Sequence, residues 1–179
     1  LIAPSWQEDN LLDSCIESLI DSLYGDAYKI IIRPHPEYMK RYRQKMMLLT
    51  EKYQDKIGDG LAFELDFSSN TSVYSSDLLV TDWSGIGIEF GFATLKPVVF
   101  INTKMKMENE NYAAIGIVPQ EIRLRDVLGV SMDKEHIPEK FASTCAELLG
   151  GALSAEGLKE ERERYFYNLG SGGVEGAKY

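Results

Sequence analysis

The stretch Ser76-Asp77-Leu78-Leu79-Val80-Thr81-Asp82-Trp83-Ser84-Gly85-Ile86-Gly87 decides the fold. Its first half, Asp77 to Thr81, reads as a continuous apolar strand, and its second half as a turn into a helix running to about Phe92. A strand without polar alternation is buried on both faces, which requires helices above and below a mostly parallel sheet. Working outward, Lys96-Pro97 opens a strand at Val98-Val99-Phe100-Ile101, and Leu61 to Leu65 alternates like a half-buried strand. Tyr28 to Ile32 is a further buried strand, and Leu1-Ile2-Ala3 is a short apolar one.

Amphipathic segments lie between these strands. Leu11, Leu12, Cys15, Ile16, Leu19, Ile20 and Leu23 recur at helical spacing, so Asp9 to Leu23 reads as one helix, stopped by Gly25-Asp26. Met39, Tyr42, Met46, Leu49 and Tyr53 form the stripe of another, and the hydroxyl-rich run Ser68 to Ser76 reads as loop. From about Met105 the sequence reads as loop followed by helices near 120–128, 138–149 and 154–167, with glycines at 170, 172 and 173 punctuating a soft tail. The expected fold is a Rossmann-like doubly wound domain comprising residues 1–179. Right-handed crossovers place every strand-to-helix turn at one edge of such a sheet, where ligands bind.

Composition narrows the function. With 44% apolar residues the 179-residue chain folds as one globular unit, which excludes disorder. No apolar run approaches ~20 residues, so no membrane span is expected, and the first residues resemble the middle of a strand, not a signal peptide. A formal net charge of −9 opposes a nucleic-acid partner, whose phosphates call for excess positive charge. Cys15 and Cys145 read as buried and reduced, which points to a cytoplasmic protein, and two His and two Cys far apart offer no metal site. The basic run Lys40, Arg41, Arg43 and Lys45 reads as a solvated helix face. It leaves open a peripheral contact with the inner face of the cell membrane.

Two turns carry the chemistry. In Arg33-Pro34-His35-Pro36, each proline biases the preceding residue toward extended backbone, and Pro36 suits the first turn of a helix. The segment lifts His35 over the carboxyl edge of the sheet. A nearby phosphate would favour its protonated form, and Arg33 offers a fork for phosphate oxygens. A histidine that merely caps the helix is the plainer alternative. In Asp82-Trp83-Ser84-Gly85-Ile86-Gly87, Ser84 is placed as the helix N-cap, and the glycines at 85 and 87 suggest that something approaches the backbone. A helix N-terminus favours an anion. Glu89 and Asp82 are weaker candidates for ribose or nucleotide contacts. Glu89 reads equally as solvated, and one of Asp77 and Asp82 fixes a loop through backbone N–H groups. Lys104 and Lys106 could face the same crevice, and His136 reads as a loop or cap residue.

At these two turns the chain resembles the CDP-glycerol glycerophosphotransferases, which build teichoic-acid-type polymers. The matching pieces are Ala3-Pro4-Ser5-Trp6, Arg33-Pro34-His35-Pro36, Ser76 through Ser84, Glu89-Phe90 and Lys96-Pro97-Val98-Val99-Phe100, in that order. The resemblance implies a GT-B architecture of which this chain is the C-terminal, donor-binding half, the N-terminal acceptor domain being absent and the chain inactive alone. It further implies a CDP-alcohol whose pyrophosphate lies between Arg33, His35, Ser84 and Gly85. His35 would stabilise the leaving CMP while an acceptor hydroxyl of a polymer or lipid-linked acceptor attacks the β-phosphorus. No cofactor or metal is implied. The chain departs from the family pattern at Gly85, which stands for a second serine, and between Glu110 and Gly116, where an arginine before the glycine is missing.

Other readings fit less well. A second GT-B transferase type, using a sugar nucleotide for surface polysaccharide, shares the same phosphate logic. A phospho-receiver domain would place its acceptor aspartate at Asp82, yet Pro4-Ser5-Trp6 replaces the acidic pair it needs for Mg²⁺, and Lys96-Pro97 precedes the final strand instead of following it. Ser84 lacks the glycine two positions earlier that a hydrolase nucleophile turn requires.

Overall fold

Residues 1–3 form the centre of the sheet. In the computed structural model, which describes residues 1–25, 28–105, 109 and 111–178, Ile2 pairs in parallel with both Ile32 and Val80. Its N–H donates to the Ile31 carbonyl at 2.8 Å and its carbonyl accepts from Arg33 N–H at 2.9 Å. On the other side Ala3 N–H donates to Val80 O and Val80 N–H to Leu1 O, at 2.9 and 2.8 Å. The segment thereby joins β1 (Ile30–Ile32) with β2 (Leu61–Phe63) to β3 (Leu79–Thr81), β4 (Val98–Asn102) and β5 (Gly129–Asp133). All pairings are parallel, in the order β2, β1, residues 1–3, β3, β4, β5. Successive strands step outward in one direction and then, from β3, in the other. That reversal beside residues 1–3 is the topological switch point of a Rossmann-like α/β sheet.

Alternate strand residues feed two cores. Ile2, Val80, Val99 and Ile101 point to one face, under α1 (Leu11–Ser14), α2 (Ile16–Leu23), α3 (Pro36–Arg41), α4 (Arg43–Lys52) and α8 (Ile137–Glu147). Ala3, Leu79, Val98 and Phe100 point to the other, under α6 (Ile86–Thr94), α7 (Gln120–Leu128) and α9 (Ala155–Tyr165). Between them in sequence lies a short helix, α5 (Thr71–Ser75), within the stretch expected to be loop. The doubly wound reading of the apolar strands therefore has its physical counterpart: apolar side chains on both faces of each strand, each buried by a different helix layer.

Several local expectations are corrected. The helix expected over residues 9–23 breaks at Cys15, whose φ of −153° interrupts it, and begins only at Leu11, where Asn10 caps it by accepting from Leu12 and Asp13 N–H. The second amphipathic helix breaks at Tyr42. The strand β5 had no clear sequence signal, because Ser131 and Asp133 interrupt its apolar content and three of the five residues of this edge strand are exposed. Asp26, Lys106 and Glu110, each part of an expectation above, lie outside the described residues. Among the described residues no helix is long and apolar enough to cross a membrane.

Cys15 and Cys145 are both buried and free. Burial pushes the Cys15 thiol up to about 11 and that of Cys145 up to about 12, so both are protonated at pH 8. Since the thiolate is the nucleophile, iodoacetamide should label native protein at least about a hundredfold more slowly than denatured protein. Rapid labelling of either cysteine in the folded chain would contradict this packing.

Candidate functional site

The turns after residues 1–3, β1 and β3 meet at the carboxyl edge of the sheet. Since β1 and β3 flank the central segment, the roots of their turns are about 10 Å apart, two strand spacings. Asp82 ties the crevice floor together. Its Oδ1 accepts from Ser5 N–H at 2.7 Å, and its Oδ2 accepts from Ser5 Oγ and Leu11 N–H, both at 3.1 Å. Thr103 Oγ1 stands at 3.5 Å from the same oxygen. Burial raises the Asp82 carboxyl above its ordinary value, and the hydrogen bonds from Ser5 and Leu11 only partly offset this. Asp82 is thus the residue of the Asp77/Asp82 pair that fixes a loop. Its oxygens are occupied within the protein, which also disfavours the phosphoacceptor reading. Asp77 is exposed and stands 3.5 Å from Lys96 Nζ.

Beyond Asp82 the chain turns into α6. Trp83 is held by its Nε1–H, which donates to Thr103 O at 3.0 Å. The helix starts one residue later than the sequence suggested: Gly85, with helical backbone angles, is the N-cap, and no side chain caps it. Gly85 O accepts from Ile88 and Glu89 N–H, while Ser84 contributes only its carbonyl, to Gly87 N–H at 3.3 Å. The two glycines have different reasons. A Cβ on Gly85 would meet nothing within 4 Å, so that position is open to a ligand, whereas one on Gly87 would fall 2.6 Å from the Phe100 ring. Gly87 lets α6 pack closely on β4; the approaching group there is Phe100 itself.

A cavity of about 420 Å³ opens beside this helix start, between α6 and the segment leading into α7. Trp83, Phe100, Tyr112 and Ile122 supply apolar wall, and Asp82, Ser84, Asn109, Glu121 and Arg125 polar groups. Apolar wall with convergent polar groups is the usual make-up of a ligand pocket. Of the residues singled out in the sequence, Asp82, Ser84 and Gly85 line the cavity, and Arg33, His35 and Glu89 do not. Glu89 is exposed in the first turn of α6.

The β1 turn is built for rigidity. His35 is the N-cap of α3, its Nδ1 accepting from Glu37 N–H at 3.1 Å, with Pro36 following at the first helical position. That bond makes Nδ1 an acceptor and places the neutral imidazole's proton on Nε2. Arg33 is nearly buried: Nη1 donates to Glu64 Oε1 at 2.6 Å and to Ser69 O at 3.0 Å, and Nη2 to Asn70 Oδ1 at 2.9 Å. Its guanidinium therefore anchors the loop between β2 and α5 next to His35. Lys104 is exposed and 3.8 Å from Asp9, and His136 occupies the N-cap position of α8 without a side-chain capping bond.

Arg125 is the residue that motif reading missed. It is 4% exposed, donates from Nη2 to Asn102 Oδ1 at 2.8 Å, and lies with Cζ 4.0 Å from the Trp83 ring centre and 5.0 Å from that of Phe100. Burial lowers the guanidinium from 12.5 to about 10, partly offset by the Asp82 charge, so it is cationic at neutral pH. The available signal was its phase: Arg125 lies beside Leu124 and three before Leu128, on the buried stripe of α7.

Comparison with curated proteins returned no match. The family model described as CDP-Glycerol:Poly(glycerophosphate) glycerophosphotransferase matches residues 1–113, which include the central segment, both turns, α6 and β4. Since that match spans well over half of the sequence, the chain belongs to the glycerophosphotransferase family and is of the transferase type.

Proposed function

We propose that this chain is the donor-nucleotide-binding domain of a transferase that moves glycerophosphate, or a related polyol phosphate, from a CDP-alcohol to a hydroxyl of a polymer or lipid-linked acceptor. The observation that carries the reading is the uncapped start of α6 at the switch point, with Gly85 open to a cavity of about 420 Å³. A helix start leaves backbone N–H groups unsatisfied and favours negative charge, which suits a diphosphate. The cavity's apolar and aromatic walls suit the nucleoside. In this reading Ser84 and Gly85 hold the pyrophosphate from one side and His35 donates from Nε2–H on the other, stabilising the CMP leaving group. Arg33 acts through the loop it anchors. The GT-B arrangement, with a second domain supplying the acceptor and the base, belongs to the same proposal.

Calorimetry with CDP-glycerol, CDP-ribitol and UDP-sugars tests it directly. Preferential binding of a CDP-alcohol supports the reading, preferential binding of a UDP-sugar points to the polysaccharide glycosyltransferase alternative, and no binding at millimolar concentration ends both. Two variants separate the roles of His35. His35→Asn retains a capping oxygen for Glu37 N–H, whereas His35→Ala removes it and is expected to cost about 1 kcal/mol of stability. Both should weaken CDP-glycerol about tenfold or more, as expected for a lost hydrogen bond to a charged group. Unchanged affinity in His35→Asn would remove the imidazole from the site.

A further inference from the structure

The cavity contains a cation with no counter-charge bonded to it among the described residues. Arg125 makes one side-chain hydrogen bond, to Asn102, and its Nε and Nη1 are buried without an acceptor among the described residues. It forms no ion pair with any described carboxylate. Two acids, Asp82 and Asp126, act on it through their fields alone, and Asp82 has its oxygens engaged by Ser5 and Leu11. Buried polar groups are ordinarily hydrogen-bonded, and a buried charge ordinarily has a partner. Cation–π contact with Trp83 and Phe100 holds the guanidinium without consuming its N–H groups. The uncapped start of α6, at Gly85, lies in the wall of the same cavity.

We propose that Arg125 is an anion-binding residue of the donor site, its guanidinium neutralising the diphosphate of the bound nucleotide at the N-terminus of α6. This rests on the donor-nucleotide reading above and deepens it by assigning a residue outside the 1–113 match. Two features select an anion over a neutral base. An unpaired buried cation gains most from a negative partner, and the helix start in the same wall has the same preference. A ring nitrogen or carbonyl of the base would satisfy an N–H group and leave the charge uncompensated.

The test uses the 179-residue chain and its Arg125→Met and Arg125→Lys variants, titrated with CDP, cytidine and inorganic pyrophosphate, with thermal melts to confirm folding. Arg125→Met should weaken CDP and pyrophosphate at least tenfold and leave cytidine within twofold. Arg125→Lys, which keeps the charge and loses the fork, should fall between. Unchanged CDP and pyrophosphate affinity in a folded variant assigns Arg125 to packing alone and overturns the proposal. An equal loss for cytidine overturns it in favour of a nucleoside contact. If Arg125→Met does not fold, the Lys variant carries the same comparison. Wild-type chain that binds pyrophosphate through Arg125 but no CDP would retain the anion site and refute the nucleotide reading. Binding of neither refutes both.

Discussion

Replacing Asp82 with Ala should lower stability by about 4 kcal/mol and the melting temperature by roughly 10–15 °C. The carboxylate is 2% exposed and accepts from two backbone N–H groups, Ser5 and Leu11, and one hydroxyl. Deleting it strands both N–H groups in a site water does not reach, at about 1–3 kcal/mol each. It also removes the larger of the two negative-charge effects on Arg125. Asp82→Asn should be nearly as damaging, because one of its two acceptor oxygens becomes an NH₂ facing Ser5 or Leu11. Linkage adds a pH signature. Burial holds the folded-state carboxyl above its ordinary 3.8, so the folded state binds this proton more tightly than the unfolded chain does. The contribution is largest below 3.8 and declines as pH rises through the raised value. The wild-type advantage over Asp82→Asn should therefore be greater near pH 4 than at pH 7 in denaturant titrations. A melting temperature within 3 °C of wild type in Asp82→Ala would show that Asp82 does not hold the crevice together.

Gly129→Ala should be of comparable severity for a different reason. Gly129 ends α7, begins β5, and pairs with Val98 in the parallel register. A Cβ there would fall 1.7 Å from the Val98 carbonyl oxygen and 2.7 Å from its carbon. Both atoms are backbone in a fully buried strand, so no rotamer change relieves the overlap and β5 must shift. Overpacking ordinarily costs about 1–3 kcal/mol, and a backbone collision of this depth should exceed that range. Since α7 carries Arg125 four residues earlier, displacing the corner should also disturb the cavity wall. Gly150→Ala is the control, as a Cβ there would meet nothing within 4 Å. Amide exchange localises the effect: β4 and β5 should lose protection while β1 and β2 keep theirs. Equal melting temperatures for Gly129→Ala and Gly150→Ala would mean the β4–β5 pairing tolerates the insertion.

The two variants mark the boundary of what a linear reading reaches. Gly129 sits in a stretch whose apolar residues were too few to announce a strand, so its contact with Val98 could not be anticipated. Asp82 stood out, and a loop-fixing role was one of its readings. Its partners, however, lie 71 and 77 positions away, and nothing in the local pattern names them. Arg33 illustrates the same limit. Its guanidinium type and position beside His35 suit phosphate, but Glu64, Ser69 and Asn70 take its donors, and they come from a loop more than thirty residues on.

The amino-acid sequence by itself determined the α/β class, the parallel strands, the edge at which the turns gather, and the family. These depend on runs of apolar residues, on proline and glycine punctuation, and on the order of short motifs, all of which are local and survive in one dimension. Tertiary structure alone decided that residues 1–3 lie at the sheet's centre, that Asp82 clamps Ser5 and Leu11, that Gly87 accommodates Phe100, and that Arg125 enters the cavity wall without an ionic partner among the described residues. The physical reason is that burial can be encoded by periodicity, whereas the partner of a buried polar group is set by whichever distant segment the fold brings within about 3 Å of it.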